Sequence, residues 1–498
     1  MTIRALNDSI SIQDQLNMKG ANNGALTGKN YIESLKDSRE VWLSGQKVDV
    51  TTHEAFSGMM NELARLYDVQ HSEEFKNQMT YLADNGNQVS LSYLLPKTKK
   101  QLEQKWRNTH LWMEQSWGQL PRIPDFMSNV VVGLYDYREE LGNINPLYKE
   151  NVMSYYRYCQ QNDINITHAI GDPQIDRSSS PVEDPDLALR VVRKTKEGVI
   201  IRGAKQLATL APLAHEVLIY MSPTFAMREI PEFVLWCALP MGTPGIKVLC
   251  REPHSLNVSG HSHPMASKYD EQDAMLFFDD VLVPWNRVFL LEDSQVAVEG
   301  FPRLNAWALY VGQIRFYHRI KTLRSVAKLM AESIGVHNYP NIQDLLGELT
   351  SYLEIVRIGI KGLHHESKPT AGGLLAPGNT LALDAFAGQI SDRITEIVRE
   401  IGASGIVMQP SESDLENPEL KPFLEKYMRG KNLSVYQKSR LFRIAWDLVG
   451  DSFGMRQELY EKWNRGSMVR NRILLYKNYN DSSIEEKIKG LINNPIKS

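Results

Sequence analysis

Cysteine is scarce in this chain: Cys159, Cys237 and Cys250 are the three in 498 residues, and no Cys-x-x-Cys pair occurs. That spacing argues against a disulfide framework and against a cysteine-ligated zinc or iron–sulfur site, and it suits a reducing, cytoplasmic compartment. Charge of one sign is lacking too. A formal net charge of −3 leaves no electrostatic footprint for nucleic acid or an anionic membrane. No run approaches the roughly 18 apolar residues needed to span a bilayer, and the opening MTIRALNDSISIQDQLNMKG has no secretory h-region. Nucleotide and metal signatures are also missing. Without GxGxxG after a strand, GxxxxGKS/T or HExxH, neither a Rossmann NAD or FAD unit nor nucleotide hydrolysis is expected. His254, His261 and His263 share a loop in which no carboxylate falls at a ligand spacing, so no metal site is expected there. His364-His365 reads as a helix end, where cations complement the helix dipole.

What is present has a plan. A chain of 498 residues is too long for one core, so two or three packed units are expected. Residues 1–26 are polar and read as an arm. Helical period begins at Thr27, with a strand-like VWLSG near Val41. Thr51 or Thr52 is placed to cap a helix carrying Phe56, Met59, Met60, Leu63 and Leu66 on one face. Thr98-Lys-Lys-Gln101 is a capping box opening a helix that Pro121 and Pro124 end. After His168 the pattern becomes extended. RVVRKT and GVIIRGAKQLAT read as one pair of strands, FVLWCALP and GIKVLC as a second, and Ala274 to Leu291 as two more around Pro284, an antiparallel sheet or barrel of roughly six strands. From about Phe301 the helical period returns in four long segments, Leu304 to Ile334, Asn341 to Leu363, Thr380 to Ile401 and Leu433 to Val449, which read as an up-and-down bundle.

A β-insert between two helical blocks, carrying the polar turn THAIGDPQIDRS from Thr167 to Ser178, suggests a flat cofactor held between sheet and bundle. His168 and Arg122, each in a proline-stiffened segment, are the candidate pair to hold an anionic oxygen and exchange its proton near neutral pH.

These residues carry a resemblance. PRIPDF, THAIGDPQIDRS, RGAKQLAT, KYDEQDA, FDDVLVPW, KYMRGKN and DSFGMRQELYE occur in serial order over nearly the whole chain. Together they resemble the 4-hydroxyphenylacetate 3-hydroxylase family, the oxygenase components of two-component flavin-dependent monooxygenases. The resemblance implies an acyl-CoA dehydrogenase-like fold, mainly α with a central β-domain. It would comprise an N-terminal helical domain (27–155), a middle antiparallel β-barrel or sheet (156–295) and a C-terminal four-helix bundle with tail (296–498). It further implies reduced FAD and O2 as co-substrates, a C4a-hydroperoxide that hydroxylates a phenol-like or aminoaromatic ring, a separate NAD(P)H:flavin reductase and a homotetramer. Carried over by position, Arg122, Phe126, His168 and Ser222 would meet the substrate. His168, Gln174, Ile175, Asp176, Arg177, Thr209, Ser452, Phe453, Gly454 and Arg456 would meet FAD, with Arg122 and His168 catalytic. Phe126 departs from the tyrosine common at that position, which removes one hydroxyl from the oxygen-binding group. The same fold also hosts 4-hydroxybutyryl-CoA dehydratase and acyl-CoA dehydrogenases, the alternative reading.

Overall fold

The computed structural model describes residues 24–176, 178–179, 183–185, 188–220 and 230–493. Two short strands, β1 (Glu40–Leu43) and β2 (Gln46–Val48), precede the first long helix, α1 (Glu54–Val69). Its N-cap is His53, whose Nδ1 accepts the Ala55 N–H at 3.2 Å, rather than Thr51 or Thr52. Asp49 explains the difference: its carboxylate takes both the N–H and the hydroxyl of Thr51. The capping box at Thr98 and Gln101 forms as expected and opens α2 (Lys99–Gln115). Pro124 does not end this helix. It is the first residue of α3 (Pro124–Asp136), where its fixed φ is pre-organised and its missing N–H costs nothing. Helix α4 (Pro146–Asn162) completes the first block.

The β-region is two sheets, not a closed barrel. Its strands are β3 (Ile166–Ala169), β4 (Arg190–Lys194), β5 (Gly198–Thr209), β6 (Glu216–Ile219), β7 (Leu235–Pro240), β8 (Ile246–Cys250), β9 (Asp273–Pro284) and β10 (Val288–Leu291). A six-stranded sheet runs β2-β1-β8-β9-β5-β4 and a four-stranded sheet runs β10-β7-β6-β3. Two pairings, β1 with β8 and β3 with β6, are parallel. The β4–β5 hairpin is as expected. The next two sequence neighbours are split: β7 and β8 lie in different sheets, as do β9 and β10. Both are largely buried apolar runs, a pattern that reports burial on two faces and says nothing of which neighbour each strand takes.

Four long helices follow: α5 (Ser294–Ser333), α6 (Pro340–His365), α7 (Leu381–Val407) and α8 (Val435–Val449). Helix α5 begins ten residues before Leu304, capped by Asp293 on the Val296 N–H, and runs straight through Pro302. An interior proline ordinarily breaks a helix, which is why the sequence pattern points to a later start. Then come α9 (Ser452–Trp463), α10 (Met468–Asn478) and α11 (Ser482–Asn493). No helix among the described residues is long and apolar enough to cross a membrane.

His215 pins this assembly where the first block meets the four-stranded sheet. Its Nδ1 accepts the Asn165 N–H at 2.9 Å and its Nε2 lies 2.7 Å from Ser34 Oγ. Burial, with Arg39 adding and Asp37 opposing, pushes this imidazole down to about 3. An unfolded histidine takes its proton near pH 6.5, so below that pH only the unfolded chain gains one. The native state therefore loses about 1.4 kcal/mol per pH unit from this group. Denaturant unfolding of the wild type and His215→Gln at pH 7 and pH 5 tests this. The gap between them should narrow by roughly 2 kcal/mol at the lower pH, whereas a constant gap would refute the assignment.

Candidate active site

Arg122 lies in the short Pro121–Pro124 link ahead of α3, with its guanidinium buried between that helix and the four-stranded sheet. Its backbone N–H donates to Glu271 Oε1 at 2.8 Å, which fixes the main chain. Its Nε donates to His168 Nε2 at 3.2 Å, and its Nη1 donates to the hydroxyl of Tyr460. Among the described residues Nη2 has no hydrogen-bond partner. Phe126, one turn into α3, lies under the guanidinium, with Cζ 4.4 Å from the ring centroid. The same ring meets His168 edge-on, centroids 6.1 Å apart at 89°. Where a tyrosine would present a hydroxyl, this residue offers a π face to a cation.

His168 sits on β3, every residue of which is buried. Because its Nε2 accepts from Arg122, its proton belongs on Nδ1, which lies 3.3 Å from Tyr220 Oη. Tyr220 in turn donates to Asn305 Oδ1 on α5 at 3.1 Å. Burial, reinforced by the Arg122 charge, holds His168 well below the usual imidazole range, so it is neutral at neutral pH. Burial also raises the Tyr220 phenol. The line Arg122–His168–Tyr220–Asn305 thus has a consistent donor-to-acceptor direction.

Behind it lies a carboxylate–guanidinium brace. Glu271 and Asp273 stand two apart, and Arg456 on α9 reaches both, with Nε and Nη2 at 2.8 and 2.7 Å from Asp273 and Nη1 at 3.2 Å from Glu271. Burial works to raise the Asp273 pKa, but Arg456, Arg251 and the Thr209 hydroxyl, which donates at 2.6 Å, hold it well below the carboxylate range. Glu271 is raised by burial, with Asp273 adding and Arg456 and Arg122 opposing. Thr209 ends β5, and its carbonyl accepts the hydroxyl of Thr167, next to His168.

Other expected residues lie outside this group. Gln174, Ile175 and Asp176 form an exposed loop. Asp176 accepts from the Ser178 N–H and hydroxyl, and Lys205 holds Asp172 at 2.5 Å. A bridge between Gly171 and Gln206 lays this loop against β5. Next to the bridge, Leu207 is 65% exposed at φ +57°, and Ile175 is 46% exposed. Ser452, Phe453 and Gly454 open α9, where Asp451 caps the Ser452 N–H at 2.6 Å and pairs with His263 at 2.9 Å. A side chain at Gly454 would strike the backbone of Leu448, 2.6 Å from its Cβ, so α9 packs tightly on the end of α8. Arg177 and Ser222 lie outside the described residues.

Sequence reasoning missed Glu271, Tyr220, Asn305 and Tyr460. Tyr460 had a usable signal: it follows Arg456 by four, which stacks the two on one helix face, Cζ to ring 5.5 Å. In the structure His263 lies with Asp447 and Asp451, their ligand-type atoms within 4.8 Å of one another, a grouping that no sequence spacing announces. Here Asp447 accepts the N–H groups of Met265 and Ala266, and burial raises its carboxyl to about 7, so it ties the His263 loop to the end of α8 while Asp451 pairs with His263 at the start of α9.

The 4-hydroxyphenylacetate 3-hydroxylase N-terminal family matches residues 27–290, and its C-terminal counterpart matches residues 299–493. The chain belongs to the 4-hydroxyphenylacetate 3-hydroxylase family. Within it, the 4-hydroxyphenylacetate 3-monooxygenase oxygenase component of Thermus thermophilus is 38% identical over 482 residues, 95% of this chain and 98% of that one. A crystal structure of the oxygenase component of 4-hydroxyphenylacetate 3-monooxygenase complexed with FAD and 4-hydroxyphenylacetate matches at TM-score 0.89 and 36% identity, over 94% of this chain and 98% of that one. An archaeal 4-hydroxybutyryl-CoA dehydratase matches at TM-score 0.85 but 21% identity, which shows the shared acyl-CoA dehydrogenase-like fold alone. The dehydratase reading finds no support in the family member's donors. Cys159, Cys237 and Cys250 are buried and free, and burial raises each thiol, Cys250 to about 12. None of them joins a metal-spaced group among the described residues.

Proposed function

We infer that this protein is the oxygenase component of a two-component monooxygenase that uses reduced FAD and O2 to hydroxylate an aromatic ring bearing an oxygen or nitrogen substituent. The observation that carries this reading is the buried Arg122–His168 contact with Arg122 Nη2 left open. A substrate oxygen accepting from Nη2 gains a charge-assisted bond. Neutral His168 offers Nε2 as a hydrogen-bond acceptor to the substrate's hydroxyl, which keeps its proton, once Arg122 Nε turns toward the ligand. Its depressed basicity leaves the charge to be carried by the guanidinium, not by an imidazolium. Electron density released into the ring from that oxygen then favours attack on an electrophile. Phe126 and Tyr220 keep water from the site.

The residues fit FAD at its ring end. An exposed leucine in the left-handed region is a costly arrangement, and Leu207, two residues before Thr209 on a strand bridged to the 171–176 loop, offers a flat ring an apolar side chain. In this reading Gln174, Ile175, Asp176 and Arg177 follow the cofactor from that loop, and Ser222 meets the substrate. Phe453 and Gly454 face the phosphates with first-turn N–H groups, Ser452 being already capped. Arg456 acts as the brace that sets Glu271 and Asp273. When bound, reduced FAD supplies the electrons and activates dioxygen.

The electrons come from a separate NAD(P)H:flavin reductase, and the cytoplasm is the compartment its free thiols suit. Self-association into a homotetramer is supported by α11, which buries none of its residues and exposes Ile484, Ile488 and Leu491 along one face. The full chain mixed with FAD, NADH and an unrelated flavin reductase should convert 4-hydroxyphenylacetate or another phenol with matching oxygen uptake, and should do nothing without the reductase. Failure to convert any ring in a panel of phenols and aminoaromatics, together with no complex with reduced FAD under nitrogen, would overturn this reading.

A further inference from the structure

Tyr460 is the one tyrosine that hydrogen-bonds Arg122 among the described residues. It comes from the far end of the chain, 338 positions away. Three guanidinium carbons surround its ring, Arg122 and Arg315 at 5.2 Å and Arg456 at 5.5 Å from the centroid. Both flanks of the residue are anchored. Arg456, one turn earlier, is fixed by Asp273 and Glu271, and the next residue, Glu461, is clamped by Arg315 at 2.5 and 2.6 Å. The phenol is therefore held by the helix and does not follow Arg122 passively.

A phenolic oxygen both accepts and donates. Here its acceptor side is filled by Arg122 Nη1, and its own proton has no acceptor among the described residues. Nη1 and Nη2 leave the same planar carbon, so the hydroxyl, whose proton is free to rotate, stands on the same guanidinium as the open Nη2 donor. A hydrogen bond received from a cation also polarises the O–H and strengthens it as a donor.

We propose that Tyr460 is a specificity-determining residue of this site, its hydroxyl joining Arg122 Nη2 as a second donor to one oxygen of the aromatic substrate. Two donors aimed at one atom suit an oxygen with free lone pairs, most of all an ionised phenol. An arylamine nitrogen brings two hydrogens and at most one lone pair, so it satisfies one donor and leaves the other unpaired, which is costly in a buried site. The proposal rests on the aromatic hydroxylase reading above.

The test is Tyr460→Phe in the full chain with FAD and a separate flavin reductase, using 4-hydroxyphenylacetate and 4-aminophenylacetate as paired substrates and 4-nitrophenol as an optical probe. Loss of one charge-supported donor should raise KM for the phenol roughly tenfold, with less than a twofold change for the amine. The pH at which bound 4-nitrophenol ionises should rise by about one unit. If the wild type hydroxylates the phenol and the variant keeps the same phenol KM, the same phenol-to-amine ratio and the same probe titration, the proposal is overturned. Equal losses on both substrates, with a lower melting temperature or weaker binding of reduced FAD, would also overturn it, because they would make Tyr460 a structural strut. A wild type inactive on every ring would instead sink the hydroxylase reading itself.

Discussion

Replacing Arg122 with glutamine should lower hydroxylated product by a factor on the order of 10² to 10³, while reduced FAD continues to consume oxygen and releases it as hydrogen peroxide. The substitution is selective for the side chain. Glu271 holds the residue through its backbone N–H, a bond that glutamine keeps, and Phe126 and His168 still pack against each other. What disappears is the fixed positive charge and the Nη2 donor, and with them the means of holding the substrate oxygen. Product and peroxide measured per oxygen consumed separate this from simple unfolding. Intact coupling in the variant would remove Arg122 from the chemistry.

Glu461→Gln should cost the folded state about 3–5 kcal/mol, read as a lower denaturant midpoint. This carboxylate is the shared counter-ion of three buried guanidiniums: Arg315 at 2.5 Å, Arg465 at 3.1 Å and Arg319 at 3.5 Å. Burial works to raise its pKa, yet the three charges overcome that and hold it at about 2. Arg319 already shows the strain of the arrangement: burial lowers it to about 10, with Glu461 opposing and Arg315 adding to the shift. Removing the one negative charge leaves cations facing each other in a dry interior, with Asp384, 3.4 Å from Arg465, the nearest remaining relief. Because Tyr460 is the adjacent residue, the folded fraction of the variant should also bind phenols less tightly. A midpoint within 0.5 kcal/mol of wild type, on the order of a neutral surface change, would show that the network contributes little.

Local signals in the sequence were dependable where a few neighbouring residues decide the outcome. The Thr98–Gln101 box, the β4–β5 hairpin and the cores of the four long helices are of this kind. Arg122 and His168 were legible because each sits in a segment stiffened by proline or by a turn, a poor place for a merely packed polar residue. The errors share a different cause. Pro124 and Pro302 mark helix interruption by residue type, yet one sits where a helix begins and the other in a helix held by its surroundings. The strands β7 to β10 carry their burial in their composition but not their partners, and so the split between two sheets was invisible. Tyr220, Asn305 and Tyr460 reach the site from segments 52 to 338 positions distant from their partners; no periodicity encodes that.

The bond from Arg122 to Tyr460 joins the two segments that match the family's N- and C-terminal parts, residues 27–290 and 299–493. The end of the site proposed to hold the substrate oxygen therefore belongs to neither half by itself. A ribosome must finish nearly the entire chain before that end is complete, so a chain that stops short of α9 leaves Arg122 with Glu271, His168 and Phe126 but without Tyr460. Chimaeras that join the front of one relative to the back of another inherit the same dependence: the Arg122–Tyr460, Tyr220–Asn305 and Arg456–Asp273 contacts all cross the join and have to be matched together.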